Sequence, residues 1–187
     1  MKYDIIFAGV GGQGIVSIAS MLVEAAGKEG LHAKQNEVHG MSQRGGAVSC
    51  HVRISTEPIW ADIIPHGSAD FILATEPMEG LRYADFLKAD GIIITGNQPV
   101  KNIEYPDEQK LFDAIKRHSG AVIVDTAAIT AELHNPKAAN IAVLGALAKK
   151  IGRFQDKIEA IITKKFSSKG EKVVETNIKA FEMGSGA

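Results

Sequence analysis

One cysteine, one tryptophan and 6% aromatic residues in a chain of 187 leave several kinds of chemistry without material. Cys50 alone closes no intramolecular disulfide. By itself it holds neither an iron–sulfur cluster nor a cysteine-ligated structural zinc, and so sparse a cysteine content fits a reducing compartment. No apolar run reaches the ~18 residues of a membrane-spanning helix. The opening "MKYDIIFAGVGGQG" has one lysine and an apolar stretch broken by glycines, without the length or cleavage region of a secretory signal, so the expected location is the cytoplasm. Neither sign of charge is in excess. Lys and Arg total 21 against 22 Asp and Glu, and no basic run is interleaved with aromatics, which argues against nucleic acid as a partner. His32, His66, His118 and His134 are scattered without metal-ligand spacing, so no metal site is expected.

What is present suits one well-buried domain spanning residues 1–187: 45% of residues are hydrophobic and 23% charged. "YDIIFAGV" reads as a buried parallel strand. After the glycines, Ile15, Ile18, Ala19, Leu22, Val23 and Ala26 recur at helical spacing. "GLHAKQNEV" and "AVSCHVRIS" are further strands. The second of these alternates Val48, Cys50, Val52 and Ile54 with Ser49, His51, Arg53 and Ser55, which predicts one core face and one face in solvent or at a subunit contact. The link between them, "HGMSQRGG", is too short for the dozen or so residues of a parallel crossover, so the pair is expected to be antiparallel.

Further along, "ADFILATE", "GIIITG" and "AVIVDT" read as strands, and "PMEGLRYADFLK" and "DEQKLFDAIKRHS" as helices. From Ala127 to Phe181 the pattern is mostly helical. Asp125 is placed to cap a helix, Asn140 to begin one, and Gly152 to end one, while the final "MGSGA" is expected to fray. The predicted fold class is α/β: three α/β/α layers around a mostly parallel, mixed sheet, with a Rossmann-like glycine turn after the first strand.

Two stretches carry the functional signal. Gly9, Gly11 and Gly14 fit G-x-G-x-x-G between a strand and a helix, with Gly12 and Gln13 inside the turn. Glycines there admit a close ligand, and unpaired amides at the helix start favour a phosphate or carboxylate. Close packing of helix on strand would also explain them. A dinucleotide fold would use an acidic residue ~20 positions later on the ribose, near Glu37. The short link after the second strand cannot supply that fold's helical crossover. The second stretch, "EVHGMSQRGG", gathers Glu37, His39, Ser42, Gln43 and Arg44 with Gly45 and Gly46 at a sheet end where open α/β folds bind ligands. Arg44 offers a fixed fork of donors to an anion, and a solvated surface loop is the plain alternative.

Together "GVGGQG", "EVHGMSQRGGAVSCHVRIS", "ADFILATEP" and "NIAVLGALA" resemble, in order and over nearly the whole chain, the small non-cofactor subunits of 2-oxoacid:ferredoxin oxidoreductases, with "EVHGMSQRGG" pointing to the indolepyruvate branch. The resemblance implies a subunit inactive alone, within an enzyme that decarboxylates aryl pyruvates, forms acyl-coenzyme A and reduces ferredoxin. It further implies that thiamine diphosphate, magnesium and the iron–sulfur clusters lie in a larger alpha subunit, since one cysteine and the lack of a GDG with a paired Asn leave none of them to this chain. Residues 9–14 and Arg44, Gly45 and Gly46 would face coenzyme A or a substrate or cofactor phosphate, supported by Glu37, His39, Ser42 and Gln43. No residue is assigned as a catalytic acid or base. Two other readings stand beside it: a self-contained NAD(P)- or flavin-dependent oxidoreductase, and a non-enzymatic module for a nucleotide or acyl-coenzyme A.

Overall fold

A buried strand runs into a helix across the glycine cluster: β1 spans Lys2–Val10 and α1 spans Ile15–Lys28. Ile5, Ile6, Phe7 and Ala8 are all fully buried, so β1 is covered on both faces, the setting that selects an unbroken apolar run. The computed structural model describes residues 1–39, 46–101 and 103–187, with His39 described by its backbone alone. After α1 come β2 (His32–His39), β3 (Ala47–Ser55), β4 (Ala69–Ala74), α2 (Pro77–Arg82), β5 (Leu87–Gly96) and α3 (Glu108–Lys116). The chain continues through β6 (Val122–Val124), α4 (Thr126–Glu132), α5 (Ala139–Ile151), α6 (Gln155–Phe166) and α7 (Glu171–Ser185).

The strands form one mixed sheet in the order β2-β3-β1-β4-β5-β6. β1, β4, β5 and β6 are mutually parallel, and β3 runs antiparallel to both its neighbours, as the short link predicts. On one face Phe7, Cys50 and Leu73 pack with Leu22 of α1, Leu144 of α5 and Phe181 of α7. On the other, Ile6, Ile72 and Ile93 pack with Ile115 of α3 and with Ile64 from the irregular segment 56–68. These are the three expected layers.

Three local expectations change. The helix predicted over residues 77–88 stops at Arg82. Beyond it the carbonyls of Asp85 and Phe86 accept the N–H groups of Gly67 and Ser68, and Leu87 already pairs with Ala69 in the sheet. His51 and Arg53 on the outer face of β3 are covered within the chain itself, because segment 56–68 folds across them. His51 is 5% exposed, and Arg53 is held by both oxygens of Asp4 and by the carbonyls of Ala61 and Ile63. The C-terminal "MGSGA", expected to fray, is helical as far as Ser185, whose hydroxyl donates to the carbonyls of Gly145 and Phe181.

Topology fixes where a ligand can sit. From β1 the chain crosses towards β3 and β2, whereas β4 opens the run towards β5 and β6, so the strand order reverses between the adjacent parallel strands β1 and β4. Open α/β sheets form a crevice beyond the carboxyl ends of strands at such a point. The glycine turn and the Thr75–Glu76 corner stand on its two sides.

Candidate functional site

The turn after β1 is built mostly from its own polar groups. Gly12 and Gly14 have φ of 100° and 76°, where an L side chain costs roughly 1–2 kcal/mol. Between them Gln13 folds back: its Oε1 accepts the Val10 N–H at 2.7 Å and the Thr75 hydroxyl at 2.8 Å. That clasp ties the end of β1 to the end of β4. The Gln13 N–H donates to the Val10 carbonyl at 3.1 Å, and the Gly11 N–H donates to the Gly46 carbonyl at 2.8 Å. The amides of Gly11 and Gln13 therefore close the turn, and among the described residues those of Gly12, Gly14 and the first turn of α1 have no acceptor. Among the described residues no side chain caps that helix start, and its first turn holds no acidic residue, which leaves donors suited to an anion.

Gly9 has another role. It is buried within β1, and a Cβ there would lie 2.5 Å from Thr75 Oγ1 and 2.7 Å from Ile15 Cγ1. It permits close packing, the alternative the sequence left open. At Gly14 a Cβ would lie 2.4 Å from Asn140 Nδ2, so the start of α5 closes against the turn.

The turn opens onto a cleft of about 760 Å³. Gly12, Gly14 and Ser17 form one side, and Thr75, Gln98 and Val100 form the wall at the ends of β4 and β5. Opposite stand Lys137, Asn140, Phe166 and Lys169. Lys169 Nζ lies 5.3 Å from the centre of the Phe166 ring, a cation beside an aromatic face. Neither Lys137 nor Lys169 has an acidic partner among the described residues. Asn140 Oδ1 is buried and, among those residues, lacks a hydrogen-bond donor. Two cations, a helix start and an aromatic ring converge on one space, an arrangement suited to a polyanion that carries a flat ring.

The remaining predicted site residues lie elsewhere or outside the description. Glu37 is exposed on the edge strand β2, opposite Cys50 in the ladder, and accepts the Gln35 side-chain amide at 2.8 Å. It does not line the cleft, because β3 stands between β2 and β1. Two interstrand spacings, about 10 Å, separate β2 from the strand that carries the glycine turn. In a dinucleotide fold these two strands are neighbours. Gly46 contributes its carbonyl to Gly11. Ser42, Gln43, Arg44, Gly45 and the side chain of His39 lie outside the described residues. Sequence reasoning missed Lys137, Phe166 and Lys169, whose positions lack any periodic signal, and saw Asn140 only as a helix start.

Two buried groups on β3 have shifted protonation. Burial, helped by the negative charge of Glu37, pushes the Cys50 thiol up to about 12. Burial, and then the Arg53 charge, hold His51 below its ordinary value, and its Nδ1 accepts the Ile64 N–H at 3.0 Å. Both sit away from the cleft.

Comparison with known proteins agrees with this architecture. The family model described as pyruvate ferredoxin/flavodoxin oxidoreductase matches residues 4–187. The chain is 33% identical to the indolepyruvate oxidoreductase subunit IorB of Thermococcus kodakarensis, over 98% of its own length and 94% of that protein. Among solved structures, it is similar to the pyruvate oxidoreductase subunit PORC of Thermotoga maritima at a TM-score of 0.75 and 23% identity, covering 98% and 94% of the two chains. It also superposes on the 2-oxoglutarate:ferredoxin oxidoreductase of Magnetococcus marinus, solved with 2-oxoglutarate, coenzyme A and succinyl-CoA, at a TM-score of 0.79 and 21% identity. That match takes in 99% of this chain and 30% of the longer one. The chain therefore belongs to the pyruvate ferredoxin/flavodoxin oxidoreductase family.

Proposed function

We infer that this chain is the small subunit of a cytoplasmic 2-oxoacid:ferredoxin oxidoreductase of the indolepyruvate type, and that it holds coenzyme A while a larger alpha subunit carries thiamine diphosphate, magnesium and iron–sulfur clusters. The observation that carries the reading is the cleft in which Lys137, Lys169 and the start of α1 face one another beside Phe166. Coenzyme A presents a diphosphate, a further phosphate and an adenine, which these groups match in kind. The lysines and the amides of Gly12, Gly14 and Ser17 around the start of α1 receive phosphate oxygens, and Phe166 offers its ring to the base.

The residues present do not fit the other cofactors. A cluster takes several cysteine thiolates, and the one cysteine here is fully buried in β3. Among the described residues no three His, Cys, Asp or Glu side chains converge as metal ligands would. Carbon–carbon cleavage and electron transfer to ferredoxin thus fall to the partner subunit. This chain orients the thiol acceptor of the acyl group. A self-contained NAD(P) or flavin enzyme is disfavoured by the strand order, which separates Glu37 from the glycine turn.

The test is reconstitution with a larger subunit competent in both cofactors. Aryl-pyruvate-dependent ferredoxin reduction should require this chain, and Lys137→Ala and Lys169→Ala should each raise KM for coenzyme A about tenfold, less at high salt. Full activity of the partner alone, or an unchanged KM in both variants, would overturn the reading.

A further inference from the structure

Glu76 lies two residues beyond the end of β4 and is 0% exposed, yet among the described residues its hydrogen-bond donors are uncharged. Its Oε2 accepts the Glu79 N–H at 2.8 Å and so caps α2. Its Oε1 accepts the Tyr105 hydroxyl and, at 3.4 Å, the Val100 N–H. Capping alone does not explain this residue type, because a shorter Asp, Asn or Ser caps a helix better than Glu. The additional methylene carries the carboxylate across to Tyr105 and Val100. A buried carboxylate needs several donors to stay in place, and the chain after β5 supplies two of them.

That stretch of chain is also one wall of the cleft. At its start, Asn97 is fixed by four bonds: its N–H donates to the Val124 carbonyl, its Nδ2 donates to Asp125 Oδ1, and its Oδ1 accepts the Thr126 hydroxyl and the Ala127 N–H. Immediately beyond, Gln98 and Val100 line the same cleft as Lys169. Without Glu76 nothing among the described hydrogen bonds would hold Val100 towards β4.

We propose that Glu76 and Tyr105 are positioning residues, whose bond holds Gln98 and Val100 in place as the cleft wall and so sets the width available to coenzyme A. The part concerning coenzyme A rests on the function proposed above; the clasp does not.

Two variants of the full chain separate clasp from cap. Tyr105→Phe removes the hydroxyl donor, and with it the hydroxyl's interaction with the Met78 backbone, while the Glu76–Glu79 cap bond stays in place. Glu76→Asp keeps a good capping carboxylate but withdraws it from Tyr105 and Val100. In both, amide hydrogen exchange at residues 98–101 should quicken about tenfold or more, with α5 unchanged, as for the loss of a hydrogen bond to a charged group. Unchanged exchange in both variants overturns the clasp. In the reconstituted complex both should raise KM for coenzyme A about fivefold and leave kcat within about twofold, the pattern of lost uniform binding. If Lys137→Ala and Lys169→Ala raise KM while the clasp variants do not, the positioning role is overturned. If exchange quickens and none of the four variants moves KM, the clasp stands and the coenzyme A assignment falls.

Discussion

The backbone N–H of Gly11 donates to the carbonyl of Gly46 at 2.8 Å, which joins the turn after β1 to the entry of β3. The glycine turn is thus tied to the last residue of the second glycine-bearing stretch. The amide of Gly11 is thereby committed, which leaves the amides of Gly12, Gly14 and the start of α1 as the donors free for the proposed ligand among the described residues.

The glycines of the turn should separate by stability. Gly9→Ala places a Cβ against Thr75 and the branched side chain of Ile15 inside the sheet, an overpacking expected to cost about 2–3 kcal/mol. Gly12→Ala meets nothing within 4 Å and loses only the ease of a positive φ, about 1 kcal/mol. Urea unfolding of the two variants should show that order. The reverse order would mean that Gly9 is not packed as described.

How far the sequence reaches is visible in these same residues. β1, α1 and the β2–β3 pairing follow from local period and link length, and all three appear as expected. The far wall of the cleft does not follow, because Lys137, Asn140, Phe166 and Lys169 are brought there by the packing of helices far along the chain. His51 and Arg53 show a second limit. Alternation along β3 marks a polar face, but what covers it is segment 56–68, which lacks any period to reveal that it folds back over the sheet. Glu76 read only as the end of a strand, since its reach to Tyr105 depends on where the chain returns after β5.

Cys50 should be inert while the chain is folded. A thiol held up to about 12 and 0% exposed carries little thiolate at any ordinary pH and admits no reagent. At about pH 8 a disulfide reagent should label it no faster than the chain unfolds, and promptly once urea is added. Rapid labelling of the native chain would place Cys50 at an accessible site instead.

His51 gives a pH dependence of known sign. Its folded pKa lies below the ordinary 6.5, so between the folded and unfolded values the unfolded chain binds more protons. Stability from this group is full above about 6.5 and is lost as the pH falls towards the folded value. Urea unfolding midpoints should drop between about pH 7.5 and 5.5, and His51→Gln should flatten that slope. An equal slope in both proteins would show that His51 is not held neutral.

The end of the chain is the sharpest contrast between composition and packing. "MGSGA" is rich in small residues, which as sequence suggests a loose tail. In the fold those small residues are what let α7 touch α5. A Cβ on Gly184 would lie 1.9 Å from the Ala142 carbonyl oxygen, and one on Gly145 would lie 2.1 Å from that of Phe181. Both obstacles are backbone, which cannot rotate aside as a side chain would, so relief requires the two helices to separate. Gly184→Ala is therefore expected to cost about 3 kcal/mol, at the upper end for one added methyl group. Because α5 begins at the cleft, the function proposed above predicts that the same variant weakens coenzyme A binding even though residue 184 does not line the cleft. Removing residues 183–187 tests the point without any clash: a fall in the unfolding midpoint is expected, and an unchanged midpoint would make the segment the frayed tail that its composition suggests.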